Sequence, residues 1–103
     1  MTPFQQKVYE ATKRIPRGKV ATYTAVAHAA GNPRAVRATG SALKQNPFRV
    51  VPCHRVVRAD GSPGNYARGG TKTKIELLLK EGVQIFGSKV DPRCIVTSLI
   101  IVS

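Results

Sequence analysis

Proline and glycine breakers recur along this chain so often that only short elements fit between them. They fall at Ile15-Pro16-Arg17-Gly18-Lys19, Gly31-Asn32-Pro33, Gln45-Asn46-Pro47, Asp60-Gly61, the glycine-rich stretch 64–70 and Gly82. Before the first break, Phe4, Val8, Ala11, Thr12 and Ile15 share one face at helical period over 3–15, and Thr2-Pro3 supplies a cap followed by a first-turn proline. Val20-Ala21-Thr22 leads into a second predicted helix over 23–30. A third begins at the cap-and-proline pair Asn32-Pro33 and runs to about Lys44. Two short helices around a tight Gly-Asn turn form a helix-turn-helix candidate, and a generic helical pair fits the same pattern.

Beyond residue 47 the pieces shorten. Segments 49–51 and 55–58 read as extended, flanking Pro52-Cys53-His54. Thr71 is placed to cap a last helix through Glu81, with Ile75, Leu78 and Leu79 inward and Gly82 closing it. Stretches 83–86 and 95–102 are candidate strands. The expected fold is mainly α: one compact, winged-helix-like helix-turn-helix domain with short β pieces and an unassigned tail over 88–103. At 103 residues its core must be modest.

Charge narrows the partners. Seventeen Lys and Arg against five Asp and Glu leave a net charge of +12 spread along the whole chain. Neutralising phosphates with such a surface releases counterions, so a nucleic acid is the favoured partner. Charge alone does not separate DNA from RNA or an anionic membrane, and a merely soluble basic surface is the plain alternative. No apolar run is long enough to span a bilayer, and no secretory signal opens the sequence. A cytoplasmic protein, or a nuclear one in a eukaryote, is therefore expected, with Cys53 and Cys94 unpaired. No His/Cys cluster has metal-ligand spacing, so no metal is expected.

The chemistry concentrates in Pro52-Cys53-His54-Arg55-Val56-Val57. A cysteine beside a histidine and an arginine sits in a positive field that favours the thiolate, which is the nucleophilic form. Neighbours in an extended segment face opposite ways, so adjacency alone does not make a Cys–His contact, and a buried structural cysteine is the reading for any lone Cys.

The motif resembles the active site of the O6-alkylguanine-DNA alkyltransferases, the methylated-DNA–protein-cysteine methyltransferases. The resemblance runs from Pro3 to about Gly82. It includes Gly18-Lys19-Val20-Ala21-Thr22-Tyr23, Asn32-Pro33-Arg34-Ala35-Val36-Arg37-Ala38, Asn46-Pro47, Gly64-Asn65-Tyr66 and Glu81-Gly82, in family order. It implies that Cys53 accepts the alkyl group, that His54 removes the thiol proton through a water, and that Glu81 orients the imidazole. Tyr23 is implied to hydrogen-bond the flipped guanine, and Asn46 to hold the turn beneath the thiolate. Arg37 matches the arginine finger that fills the space left in the duplex. Ala35, Ala38, Gly40, Ser41 and Ala42 are small enough for close approach of the third helix to the minor groove, and Arg34, Lys44 and Arg49 suit phosphates. Val56, Asn65, Tyr66 and Ala67 are the implied guanine-pocket residues. The implied partner is double-stranded DNA carrying O6-alkylguanine, bound by a monomer without any cofactor.

Departures from the family pattern are equally specific. The N-terminal domain common in the family is expected to be missing. Arg68 looks inserted before Gly69-Gly70, where a bulky cation either narrows the pocket or swings out to a phosphate. Cys94 is expected to be structural or merely exposed. One rival reading is the alkyltransferase-like lesion-binding proteins, which are similarly short but typically replace the reactive cysteine. Others are a helix-turn-helix regulator, poorly served by the small residues over 35–42, and a hydrolytic cysteine enzyme, for which no oxyanion-hole signature is visible.

Overall fold

The computed structural model describes residues 1–99. Helix α1, Pro3–Lys13, starts where sequence chemistry places it: Thr2 Oγ1 accepts from the Gln5 N–H at 3.1 Å, and Gln5 Oε1 accepts from the Thr2 N–H at 2.9 Å. Strand β1, Val20–Thr22, runs into α2, Tyr23–Ala29, with Thr22 as N-cap through its bond from the Ala25 N–H. Helix α3 spans Val36–Lys44. The three helices pack on one another, with Tyr9 of α1 donating its hydroxyl to the Ala42 carbonyl of α3 at 2.8 Å.

β1 is the middle of a three-stranded parallel sheet. Strand β2, Val56–Val57, pairs with it on one side and β5, Ile95–Val96, on the other. Side chains alternate across a strand, so Ala21 and Val56 join a core cluster with Val8, Ile15, Val26, Leu43 and Leu99. Val20 and Val57 join a second cluster with Leu78, Val83, Val90 and Cys94. Both faces of the sheet are thus covered. The second face carries α4, Gly70–Lys80, and the antiparallel hairpin of β3, Ile85–Phe86, with β4, Lys89–Val90.

The mainly helical fold with short strands agrees with the expectation; several details do not. The third helix begins at Val36 rather than at Asn32-Pro33. Asn32 Oδ1 accepts from the Arg34 N–H, and the Ala35 N–H donates to the Asn32 carbonyl at 3.0 Å, so these residues form a separate turn. Segment 49–51 is a turn, closed by the Val51 N–H to the Phe48 carbonyl, and Cys53–Arg55 is one turn of 3-10 helix. Only Val56–Val57 of 55–58 is a strand. Thr71 does not cap α4, which follows Gly69; its hydroxyl instead donates to the Gly64 carbonyl. Leu79 is exposed, and the inward α4 positions are Lys74 and Leu78. Of 83–86 only Ile85–Phe86 is a strand, and of 95–102 only Ile95–Val96, the part from 100 onward lying outside the described residues. Cys94 is buried.

Candidate active site

Cys53 opens the 3-10 turn Cys53–Arg55 and is 8% exposed at the edge of the first core cluster. Asn46 holds the loop that carries it. Asn46 Oδ1 accepts from the Phe48 N–H at 2.8 Å, while its Nδ2 lies 2.9 Å from the Phe48 carbonyl, 3.4 Å from the Val51 carbonyl and 3.7 Å from Cys53 Sγ. One buried amide therefore ties the turn after α3 to the sulfur. Cys53 lines a cavity of about 530 Å³, together with Tyr23, Leu43, Lys44, Arg58, Asn65, Tyr66 and Ala67. That volume is large enough for a small organic group such as a purine base.

His54, next in the turn, points to the end of α4. Its Nε2 is 3.0 Å from Glu81 Oε1, and both side chains are mostly buried. An ionised carboxylate only accepts, so the neutral ring carries its proton on Nε2 and keeps a lone pair on Nδ1. Burial holds the imidazole below its ordinary value, against the opposing pull of Glu81. Burial alone would raise the Glu81 carboxyl, but hydrogen bonds from Arg55 and His54 and their charges hold it below the usual carboxylate range. Arg55 clamps this carboxylate from the other side: Nε to Oε1 at 3.0 Å, Nη2 to Oε2 at 2.8 Å, and Nη1 to the Ile15 carbonyl at 2.9 Å. Gly18 completes the seat, since at φ +88 a Cβ there would press to 3.1 Å from the Glu81 carbonyl oxygen.

Tyr23 enters the cavity from the start of α2. Burial raises its phenol, Arg58 opposing and Cys53 adding to the effect. Behind it lies Lys74, fully buried, its ammonium 5.8 Å from the Tyr23 ring centroid and 3.3 Å from the Asn65 carbonyl. Burial brings Lys74 down to about 8, with Cys53 pulling it up and Arg58 pushing it further down. Tyr66 stands edge-on to His54, ring centroids 6.3 Å apart.

A family description, "6-O-methylguanine DNA methyltransferase, DNA binding domain", matches residues 3–83. The chain belongs to that family. A methylated-DNA–protein-cysteine methyltransferase of Methanothermobacter thermautotrophicus is 46% identical over 87 residues, covering 84% of this chain and 48% of that relative. The chain thus spans about half the length of that relative, and between 23% and 52% of the other curated relatives it matches. Mycobacterium tuberculosis OGT, solved in complex with DNA, shares 42% identity at a TM-score of 0.75, covering 80% of this chain and 51% of that one. S. pombe Atl1, solved in complex with damaged DNA containing O6-carboxymethylguanine, shares 33% identity at a TM-score of 0.82, covering 93% of this chain and 96% of that one.

Against this family background the expected site residues separate into groups. Cys53, Tyr23, Asn65, Tyr66, Ala67, Lys44 and Gly40 line one cavity; Asn46 reaches the Cys53 sulfur from outside that lining, and His54, next to Cys53 in the turn, bonds Glu81. Val56 is fully buried in β2 and is not among the lining residues. On α3 and the turn before it, Arg34, Arg37 and Ala38 are exposed and Ala35 is half-buried, as is Gly40, and Arg49 is exposed beyond the helix. Ala42, expected among the small outward residues, is buried and faces α1. Sequence reasoning missed the clamp made by Arg55, the buried Lys74 and the lining role of Arg58. Arg55 was visible in the motif as charge only. Lys74 had a signal, lying four residues before Leu78 on the inward face, but lysine is almost never fully buried. Among the described residues no cluster of His, Cys, Asp or Glu is arranged to hold a metal ion, and no helix is long and apolar enough to cross a membrane.

Proposed function

We propose that this chain repairs alkylated DNA by moving an alkyl group from O6 of a flipped-out guanine onto Cys53, once per molecule. The observation that carries this reading is a cysteine sulfur at the wall of a base-sized cavity, held by Asn46, with a carboxylate-anchored histidine next to it in the same turn. Under this proposal His54 Nδ1 draws the thiol proton through a water, and Glu81 steadies the imidazolium that forms. The thiolate displaces the alkyl carbon in line, forming an S–C bond as the C–O6 bond breaks. The electron pair leaves on the guanine, Tyr23 donating toward the base, and a proton equal to that lost by the thiol is finally taken up at N1. A thioether has no good leaving group, so the protein is consumed.

O6 lies on the major-groove edge of a stacked, paired base, out of reach of a thiol recessed in a cavity, so the base must leave the helix before it reaches Cys53. In our reading α3 approaches the minor groove, Arg37 fills the vacated stack, and Arg34, Lys44 and Arg49 hold phosphates. Gly40 supports close approach: it sits in a helix with nothing within 4 Å of an added Cβ, so the chain's own packing does not require a glycine there. The protein is taken to act as a monomer, in whichever compartment holds the DNA.

Titrating a duplex that carries one O6-methylguanine with increasing protein tests the proposal. Lesion removal should plateau at one per chain, and Cys53→Ala should bind the lesion without removing it. Removal of many lesions per chain would sink the stoichiometric mechanism. A second reading has one specific observation behind it, the likeness to Atl1 over nearly that protein's full length. Lesion binding with no transfer by the unmodified chain would select it.

A further inference from the structure

Arg68 follows the cavity residues Tyr66 and Ala67, and its side chain is engaged. It lies in a tight turn closed by the Gly70 N–H to the Tyr66 carbonyl at 2.8 Å. Two glycines force that shape: Gly69 at φ +132, where a Cβ would come within 2.6 Å of Thr73 Oγ1, and Gly70 at φ +80. From this turn Arg68 Nη2 donates to the Asn46 carbonyl at 3.1 Å. Asn46 is the residue whose amide approaches the Cys53 sulfur, and Tyr66 and Ala67, immediately before Arg68, line the same cavity as Cys53. The bond therefore links the pocket loop through Arg68 and Asn46 to Cys53 at the thiol end of the cavity.

We propose that Arg68 is a specificity-determining latch: by tying the pocket loop to the Asn46 turn it fixes the width of the cavity beside Cys53 and favours small O6-alkyl groups. The inference rests on the alkyl-transfer reading above. In-line attack sets the reacting carbon between sulfur and O6. A methyl group ends at that carbon, whereas a benzyl group continues beyond it and needs the loop to yield. With the latch fastened, the loop and the turn cannot separate without breaking a hydrogen bond to a charged donor.

The test compares the full chain with Arg68→Ala on two duplexes of identical sequence, one carrying O6-methylguanine and one O6-benzylguanine. Single-turnover rates are read as a benzyl-to-methyl ratio, which cancels any general loss of activity. The variant's ratio should rise at least ten-fold, with a thermal midpoint close to that of the parent because the side chain is exposed. An unchanged ratio overturns the latch. So does a drop in affinity for undamaged duplex with no change in ratio, which makes Arg68 a phosphate contact instead. Equilibrium affinities for both lesion duplexes, measured with Cys53→Ala and with Cys53→Ala/Arg68→Ala, separate this idea from the transfer reading. Should the parent chain transfer nothing, the benzyl-to-methyl affinity ratio still rises with the second substitution if the latch sets the width, and stays level if it does not.

Discussion

Glu81 answers to two partners, and that division governs how the site responds to substitution and acid. His54 needs the carboxylate to fix its tautomer, while Arg55 needs it as a counter-ion in a mostly buried position. Glu81→Gln keeps the shape but strands the guanidinium, so it should cost about 2 kcal/mol in chemical denaturation. It should also slow alkyl transfer roughly 100-fold, the size of a weakened general base. Acid acts in two windows. His54 sits below its ordinary 6.5 when folded, so the stability it contributes is present above 6.5 and is lost as pH falls through its folded value. Glu81, also depressed, contributes stability above the ordinary 4.5 and loses it as pH falls further. Thermal melts from pH 8 to pH 3 should therefore decline in both windows for the parent, and Glu81→Gln should flatten the lower one.

Lys74 has the same sign in a higher window. Its folded value near 8 lies below the ordinary 10.5, so between them the unfolded chain holds a proton that the folded chain has released. Stability thus rises with pH across that range. Comparing Lys74→Met with the parent at pH 7 and pH 11 should show the parent gaining about 3 kcal/mol relative to the variant. No such relative gain would mean that the ammonium is solvated rather than buried.

At the level of elements, α3 joins the core to the proposed DNA surface. Thr39, Ala42 and Leu43 face inward, and Arg37, Ala38 and Ser41 face out. Because an added Cβ at Gly40 meets nothing within 4 Å, Gly40→Phe, with the ring free to turn outward or into the cavity, should leave the melting temperature within a few degrees while weakening binding to an undamaged duplex at least ten-fold in an anisotropy titration. Unimpaired binding would remove α3 from the groove. The start of α3 also marks where sequence reading fails. Asn32-Pro33 carries the chemistry of a helix cap, but asparagine closes turns by the same side-chain bond, and only the tertiary path decides which one forms. Helix α1 was legible to its cap because Thr2, Pro3 and Gln5 all act locally. Lys74 was not, since burying a lysine depends on Tyr23 and the Asn65 carbonyl, which arrive from distant segments. The cavity was legible as an ordered set of motifs, whereas the clamp on Glu81 depends on α4 ending beside the 3-10 turn, which no local pattern encodes.

For the molecule as a whole, a net charge of +12 makes binding an ionic-strength experiment. If Arg34, Lys44 and Arg49 each neutralise a phosphate, raising salt from 50 to 200 mM should weaken duplex affinity by about 40-fold or more. A flat salt response would leave the charge as a solubility device. The architecture concentrates rigidity where the chemistry needs it: β1, paired on both sides, leads directly into Tyr23, and β2 directly follows the turn that carries Cys53. The sheet thereby holds the thiol and the phenol in register, as Ala21 pairs with Val56 and Thr22 with Val57. The central claim is that the Cys53 sulfur takes the alkyl group, and mass spectrometry reads this directly. After incubation with a duplex containing one O6-methylguanine, the intact chain should gain a single methyl group, mapped by peptide sequencing to Cys53. An unmodified chain that still binds the lesion, or a methyl group found on Cys94, would contradict it.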